Sequence, residues 1–342
     1  MSTPDLRGAA RHFFREPHYF SASGGSSGLS GSSFTRVDVR DTSWCLRAWP
    51  ADFRKGRLRF IHRALLRSHA EGFSGVPALA VTNEGDTVLD LGGRLFDAQE
   101  WLAGQPLSGR PVWERPMPNE VQSLQPGMLV SLTAAVARFH NSTTGLRAER
   151  EDEQGPLLLQ LTEVARDVEA RCDVLLACVR ARAEDDDRRI ALRWLELLPA
   201  AVALAEATLR DRPVCASSVS TVCHGDLWAT HVHFDGTTFV GFTDYENLHL
   251  GSPAVDLAHL ILHFNGWPAR EAVVDAYGKI SPLGEDEAVL PAAAVVDLAW
   301  EGYWSLSQLY VGQHRLRPAP KQAHVTNLRT LLGSLELITG ET

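Results

Sequence analysis

Apolar and polar residues alternate along Phe34-Thr35-Arg36-Val37-Asp38-Val39, the period of a strand with one buried face. An Arg-Asp-Thr-Ser turn follows, and Trp44 to Trp49 reads as the next strand, stopped by Pro50. Residues 57–73 change period: Leu58, Ile61, Leu65 and Leu66 fall on one helical face, and Gly72 marks its end. Beyond it, residues 77–82, 87–91 and 94–102 predict three further short strands separated by turns. Residues 1–21 predict a short helix with aromatic anchors at Phe13, Phe14, Tyr19 and Phe20.

After about residue 107 the pattern becomes helical. Residues 128–140, 157–183 and 188–210 are apolar at helical spacing, and Glu184 to Asp187 reads as a solvated turn and N-cap between two of them. Two short strand-like runs, 232–234 and 238–242, flank Asp235-Gly236, a strong hairpin signal. Residues 252–335 are helical again, with turns near 266–268 and 281–284. The pattern predicts a small, mostly antiparallel α+β lobe over 1–101 with one helix in its sheet region, and a larger helical lobe over 102–342.

Composition narrows the function classes. The 342 residues are 44% apolar and 22% charged, an ordinary globular balance with room for two cores. A net charge of −9 argues against non-specific binding to nucleic acid or anionic membrane. The amino terminus has no apolar signal region, and no stretch approaches the roughly 18–20 apolar residues of a span. Cys45, Cys172, Cys178, Cys215 and Cys223 contain no CxxC pair and read as reduced thiols. The expectation is a cytoplasmic protein, monomer or homodimer, with a small-molecule partner.

The chemistry concentrates in residues 218–260. His224-Gly225-Asp226 lies on a loop after helices, a hairpin follows, and Asp244 arrives at the end of its second strand, 18 residues after Asp226. A hairpin folds the chain back, so both carboxylates are expected to face one cleft. That arrangement suits phosphoryl transfer: one carboxylate accepts the proton of an incoming hydroxyl, the other holds a metal ion on nucleotide phosphates.

This segment resembles the catalytic region of the aminoglycoside phosphotransferase and choline kinase superfamily, distant relatives of the protein kinases. His224-Gly225-Asp226, Asp244-Tyr245-Glu246 and Asp256-Leu257-Ala258 match its motifs in order. The resemblance implies a two-lobed protein-kinase-like fold and a phosphotransferase moving the γ-phosphoryl of ATP or GTP, with Mg2+ or Mn2+, to a hydroxyl of a metabolite or aminoglycoside-like acceptor. It implies Asp226 as catalytic base and Asp244 as main metal ligand, with His224 and Asp256 bracing the loop.

Two departures stand out. The family usually has Asn five residues after the catalytic Asp, and this chain has His231 there. Magnesium prefers hard oxygen ligands, so His231 would bond Asp226 or a phosphate oxygen, or bind a softer ion such as manganese. Trp228-Ala229-Thr230-His231-Val232 resembles a Trp-x-x-His-Val run in one bacterial branch of the family. The second departure concerns Arg47, where the family commonly has a phosphate-binding Lys; the helix that should supply its Glu partner has only Glu71 near its end, with His62 nearer the expected place. These departures keep open an alternative: a weak or inactive pseudokinase that binds nucleotide or regulates.

Further nucleotide contacts follow from the resemblance. The Gly/Ser stretch holding Gly24, Gly25, Gly28, Ser30 and Gly31 is either a linker or the loop that covers the phosphates. Gln99, Glu100 and Trp101 are expected at the lobe junction, offering backbone groups to the base. His140 reads as structural. His259 and His263, one helical turn apart, read as core residues or metal ligands, although Leu260 stands where an HExxH motif has Glu. Trp300, Tyr303 and Trp304 read as core or as the wall of a substrate pocket.

Overall fold

A computed structural model describes residues 5–15, 18–24, 31–108, 123–147, 149, 154–213, 221–311 and 321–340. The strands in chain order are β1 (His18–Gly24), β2 (Ser33–Val39), β3 (Thr42–Ala48), β4 (Leu89–Leu91), β5 (Arg94–Glu100), β6 (Gln105–Pro106), β7 (Thr221–Cys223), β8 (Val232–Asp235), β9 (Thr238–Phe242) and β10 (His249–Gly251). The helices are α1 (Leu6–Phe13), α2 (Lys55–Ala70), α3 (Pro126–Ser142), α4 (Leu157–Arg180), α5 (Asp186–Asp211), α6 (Ala254–His263), α7 (Arg270–Gly278), α8 (Leu290–Leu306) and α9 (Lys321–Thr339). The chain divides into two units: residues 1–114 with 230–246, and residues 115–229 with 247–342. The hairpin expected in the helical part therefore packs with the amino-terminal strands.

The first unit is built on an antiparallel sheet of five strands in the order β1-β2-β3-β5-β4. Its core joins Ala9, Ala10, Phe13 and Phe14 to Val37, Leu46, Ala48, Phe96 and Ala98, so α1 covers one face of the sheet. The amino-terminal region differs from expectation: the helix ends at Phe13 and residues 18–24 form a strand paired with β2. Residues 77–82 also differ. Pro77 has no N–H to give a ladder, and Thr82 already turns, its N–H donating to Asp86 O at 2.8 Å. What remains is one bridge, Leu79 to Gln99. β6, β8 and β9 make a second small sheet, and Gly236 at φ +58 closes the β8–β9 turn.

The second unit is helical, with β7 and β10 paired antiparallel; neither strand was visible in the sequence. The three long helices expected over 128–210 form as α3, α4 and α5. The acidic stretch caps α5: the Asp185 carboxylate accepts the Arg188 N–H at 2.8 Å. The four described cysteines carry free thiols, and Cys215 lies outside the described residues. Among the described residues, no helix is long and apolar enough to cross a membrane.

Candidate active site

In the first unit the site begins with Arg47 on β3. Its side chain is largely buried, its guanidinium lies 4.8 Å from the Trp49 ring centre, and its Nη1 donates to Asp244 Oδ1 at 3.3 Å. Burial opposes the charge, but Asp244, Asp97 and Glu246 outweigh it and hold the guanidinium firmly protonated.

The partner missing from α2 has been replaced by a different pairing. His62 of α2 points to Asp97 Oδ2 at 3.1 Å, on β5 directly across from Arg47. Asp97 is fully buried and also accepts from Trp49 Nε1 at 2.9 Å and Gln99 Nε2 at 2.8 Å. Burial alone would raise the Asp97 pKa; the His62 hydrogen bond and charge, with Arg47 and Gln99, bring it below the usual range. Glu71 pairs instead with Arg67 at 3.0 Å, one turn back on its own helix.

Asp244 follows β9 with φ +64, a left-handed conformation uncommon for a residue other than glycine. Just before it, the Thr243 N–H donates to His231 O at 2.9 Å, continuing the β8–β9 pairing by one residue. The Asp244 carboxylate, about one-third exposed, has Arg47 on one oxygen and buried His231 Nε2 3.5 Å from the other. Arg57 of α2 anchors the segment beyond it, donating to Glu246 O at 2.8 Å. As a donor set, one hard carboxylate suits Mg2+ or Mn2+ completed by water and phosphate oxygens, whereas the His231 imidazole suits Mn2+ only.

Of the expected phosphate-loop residues, Gly25, Gly28 and Ser30 lie outside the described residues, and Gly31 sits at φ +81 just before β2. The stretch joins the antiparallel pair β1 and β2. Gln99 and Glu100 end β5, and Trp101 follows it. The Gln99 side chain is committed to Asp97, the Glu100 N–H donates to Ala78 O and the Trp101 N–H to Ser43 O, each at 2.8 Å. Both N–H groups are bonded within the first unit.

In the second unit, β7 delivers His224-Gly225-Asp226. Buried Asp256 at the start of α6 holds this loop by its backbone: Oδ2 accepts from His224 N–H at 2.6 Å and Oδ1 from Gly225 N–H at 2.9 Å. His140 Nε2 lies 3.0 Å from the same carboxylate, and its Nδ1 lies 2.8 Å from Tyr277 Oη. Gly225 is required, because at φ +73 an added Cβ would stand 2.8 Å from Asn247 O. Burial alone would raise the Asp256 pKa, yet His140, His224 and the Gly225 N–H bring it from 3.8 down to about 2. Its stabilising contribution is therefore complete above the unfolded value of 3.8 and is lost as pH falls towards 2. Asp256→Ala should cost about 3–5 kcal/mol by urea denaturation at neutral pH, since His140 and two loop N–H groups lose their acceptor. A cost below about 1 kcal/mol would contradict this role.

Asp226 Oδ1 accepts the Trp228 indole N–H at 2.6 Å, and the Trp228 backbone N–H donates to Asp226 O at 2.9 Å. The Trp228 ring packs against His259 and His263, with centroids 4.5 and 4.1 Å apart. Both histidines face Asp297 of α8, at 3.2 and 3.1 Å. Burial would raise the Asp297 pKa, but the two imidazoles hold it far below the carboxylate range. Asp297 was not singled out from the sequence, and Trp228 entered there only as the first residue of the Trp-x-x-His-Val run. Trp300 is exposed, Tyr303 Oη accepts from Arg171 at 3.0 Å, and Trp304 lies beside His324, so this aromatic group is not core.

The α+β fold is kinase-like, and solved structures share that fold. An aminoglycoside phosphotransferase from Alicyclobacillus acidocaldarius superposes with a TM-score of 0.67 at 17% identity, over 100% of this chain and 98% of that one. A spectinomycin phosphotransferase in complex with ADP and spectinomycin gives 0.58 at 11% identity, covering 95% and 93%. A microcompartment-associated aminopropanol kinase gives 0.56 at 14%, covering 97% and 95%. No curated protein sequence matches the chain significantly. Residues 23–290 match the model of the phosphotransferase enzyme family, and the chain belongs to that family.

Proposed function

We propose that this phosphotransferase moves the γ-phosphoryl group of ATP or GTP to a hydroxyl of a small metabolite or aminoglycoside-like acceptor. Asp226 accepts the hydroxyl proton as the oxygen attacks phosphorus, and the nucleoside diphosphate leaves. Arg47 exchanges its Asp244 contact for the nucleotide phosphates. The Gly/Ser stretch between β1 and β2 covers those phosphates with its backbone. Asp244, with His231 beside it, would hold a divalent ion that neutralises charge on the transferring group.

The observation that carries this reading is the Arg47–Asp244 contact at 3.3 Å. It joins the strand cation suited to phosphates and the carboxylate suited to a metal, at the position where the family motif has its metal-binding Asp. The acceptor class follows by analogy with relatives that act on spectinomycin and aminopropanol.

Thermal shift with ATP or GTP, in Mg2+ and in Mn2+, tests nucleotide binding directly; no shift with any combination would overturn the proposal. His231→Asn replaces an imidazole by an amide oxygen and should move the metal preference from Mn2+ towards Mg2+. Turnover measured with each ion checks this, and an unchanged Mg2+ to Mn2+ ratio would remove His231 from the metal site. A thermal shift without turnover would instead favour the nucleotide-binding pseudokinase reading.

A further inference from the structure

We infer that His259, His263 and Asp297 form a second metal site in the helical unit, selective for a borderline transition ion such as Zn2+ and separate from the nucleotide's metal. His259 Nδ1 and His263 Nε2 project from successive turns of α6 onto a single oxygen, Asp297 Oδ2 on α8, at 3.2 and 3.1 Å. One ligand atom from each of the three residues lies within 4.8 Å of the other two. Four-coordinate zinc with bonds of about 2.0–2.2 Å places its donors roughly 3.3–3.5 Å apart. The two His–Asp separations are already close to that spacing.

Hydrogen bonding alone leaves the cluster incomplete. A neutral histidine that donates one ring N–H to Asp297 presents its other nitrogen as a bare acceptor. His259 Nε2 and His263 Nδ1 are both buried without a hydrogen-bond partner, and the two residues are only 8% and 2% exposed. With an ion bound between the rings and Asp297, the inner nitrogens become ligands and the outer ones carry N–H. The neighbour packed against both rings is the Trp228 indole, whose π face can accept such a donor.

The donor set names the metal. Two imidazoles and one carboxylate select Zn2+ or Co2+ over Mg2+, which demands an oxygen shell. Leu260 replaces the Glu that would make the α6 pair a hydrolytic motif, so the ion's role is to hold structure. What it holds is adjacent: the rings fix Trp228, and Trp228 donates to Asp226 at 2.6 Å.

The test is titration of the chelator-treated full chain with Co2+, followed by its visible absorption, and displacement by Zn2+. The expected result is saturable binding of one ion, retained in Asp244→Ala and in Trp228→Phe. His263→Gln should weaken it by about 100-fold or more, beyond the loss typical of an outer-shell change. X-ray absorption of the Zn2+-loaded wild type should show two imidazoles with oxygen donors, which decides the matter even if the variant fails to fold. No Co2+ spectrum in the wild type, equal binding by folded His263→Gln, or a shell of oxygen or sulfur alone would each overturn the site. Because Asp244→Ala disables only the proposed nucleotide metal, failure here and failure of the phosphotransfer reading are distinguishable.

Discussion

Asp226→Asn should lower turnover by about 10²–10⁴-fold, the range contributed by a positioned general base, while the protein folds normally. The change is nearly isosteric. An Asn side-chain oxygen can still accept the Trp228 indole N–H that Asp226 Oδ1 accepts at 2.6 Å, so the local arrangement survives. The loop is held independently, through the His224 and Gly225 N–H groups on Asp256. What the amide loses is the capacity to take a proton. Initial rates of phosphoryl transfer, alongside circular dichroism and nucleotide affinity, check this. Wild-type rates in Asp226→Asn would refute the base assignment.

Asp244→Ala carries the second large effect. It removes the proposed metal-holding carboxylate and leaves the Arg47 guanidinium over Trp49 without its 3.3 Å partner. Nucleotide affinity should stop responding to Mg2+ or Mn2+, because the carboxylate that ties the ion to the protein is gone. Turnover should fall by on the order of 10²–10³-fold, since metal stabilisation of a transferring phosphoryl group is worth several kcal/mol. Calorimetric titration with nucleotide, with and without the ion, reads the first effect. An undiminished metal dependence would place the ion elsewhere.

The sequence exposed those parts of the protein that local physics determines. Alternation over residues 34–39 and 44–49 became β2 and β3, and Asp235-Gly236 became the tip of the β8–β9 hairpin. The acidic run before α5 became its N-cap because that choice depends on neighbouring backbone only. The motif residues were legible for the same reason: His224, Gly225 and Asp226 are contiguous, and a short hairpin separates them from Asp244.

What stayed hidden depends on contacts between distant positions. Arg47 meets Asp244 across 197 residues, and His62 meets Asp97 across 35, so the replacement for the missing helix Glu could not be read along α2. Asp97 looked like any polar residue on an alternating strand until β5 placed it opposite Arg47. Asp297 shares an apolar helix with one other acid, Glu301, and only packing of α8 against α6 brings it to the histidines. β1 was missed because His18 to Gly24 mixes aromatics with Ser and Gly, and its strand form depends on pairing with β2. Residues 77–82 had strand composition, but Pro77 and the Thr82 turn removed the ladder.

The most direct test follows γ-labelled ATP, and then GTP, through the wild-type chain with Mn2+ or Mg2+ and a panel of hydroxyl-bearing small molecules. Label should appear on at least one acceptor, and on none when Asp226→Asn replaces the wild type. Nucleotide that binds while its label never leaves, across the whole panel and with either ion, would contradict that expectation.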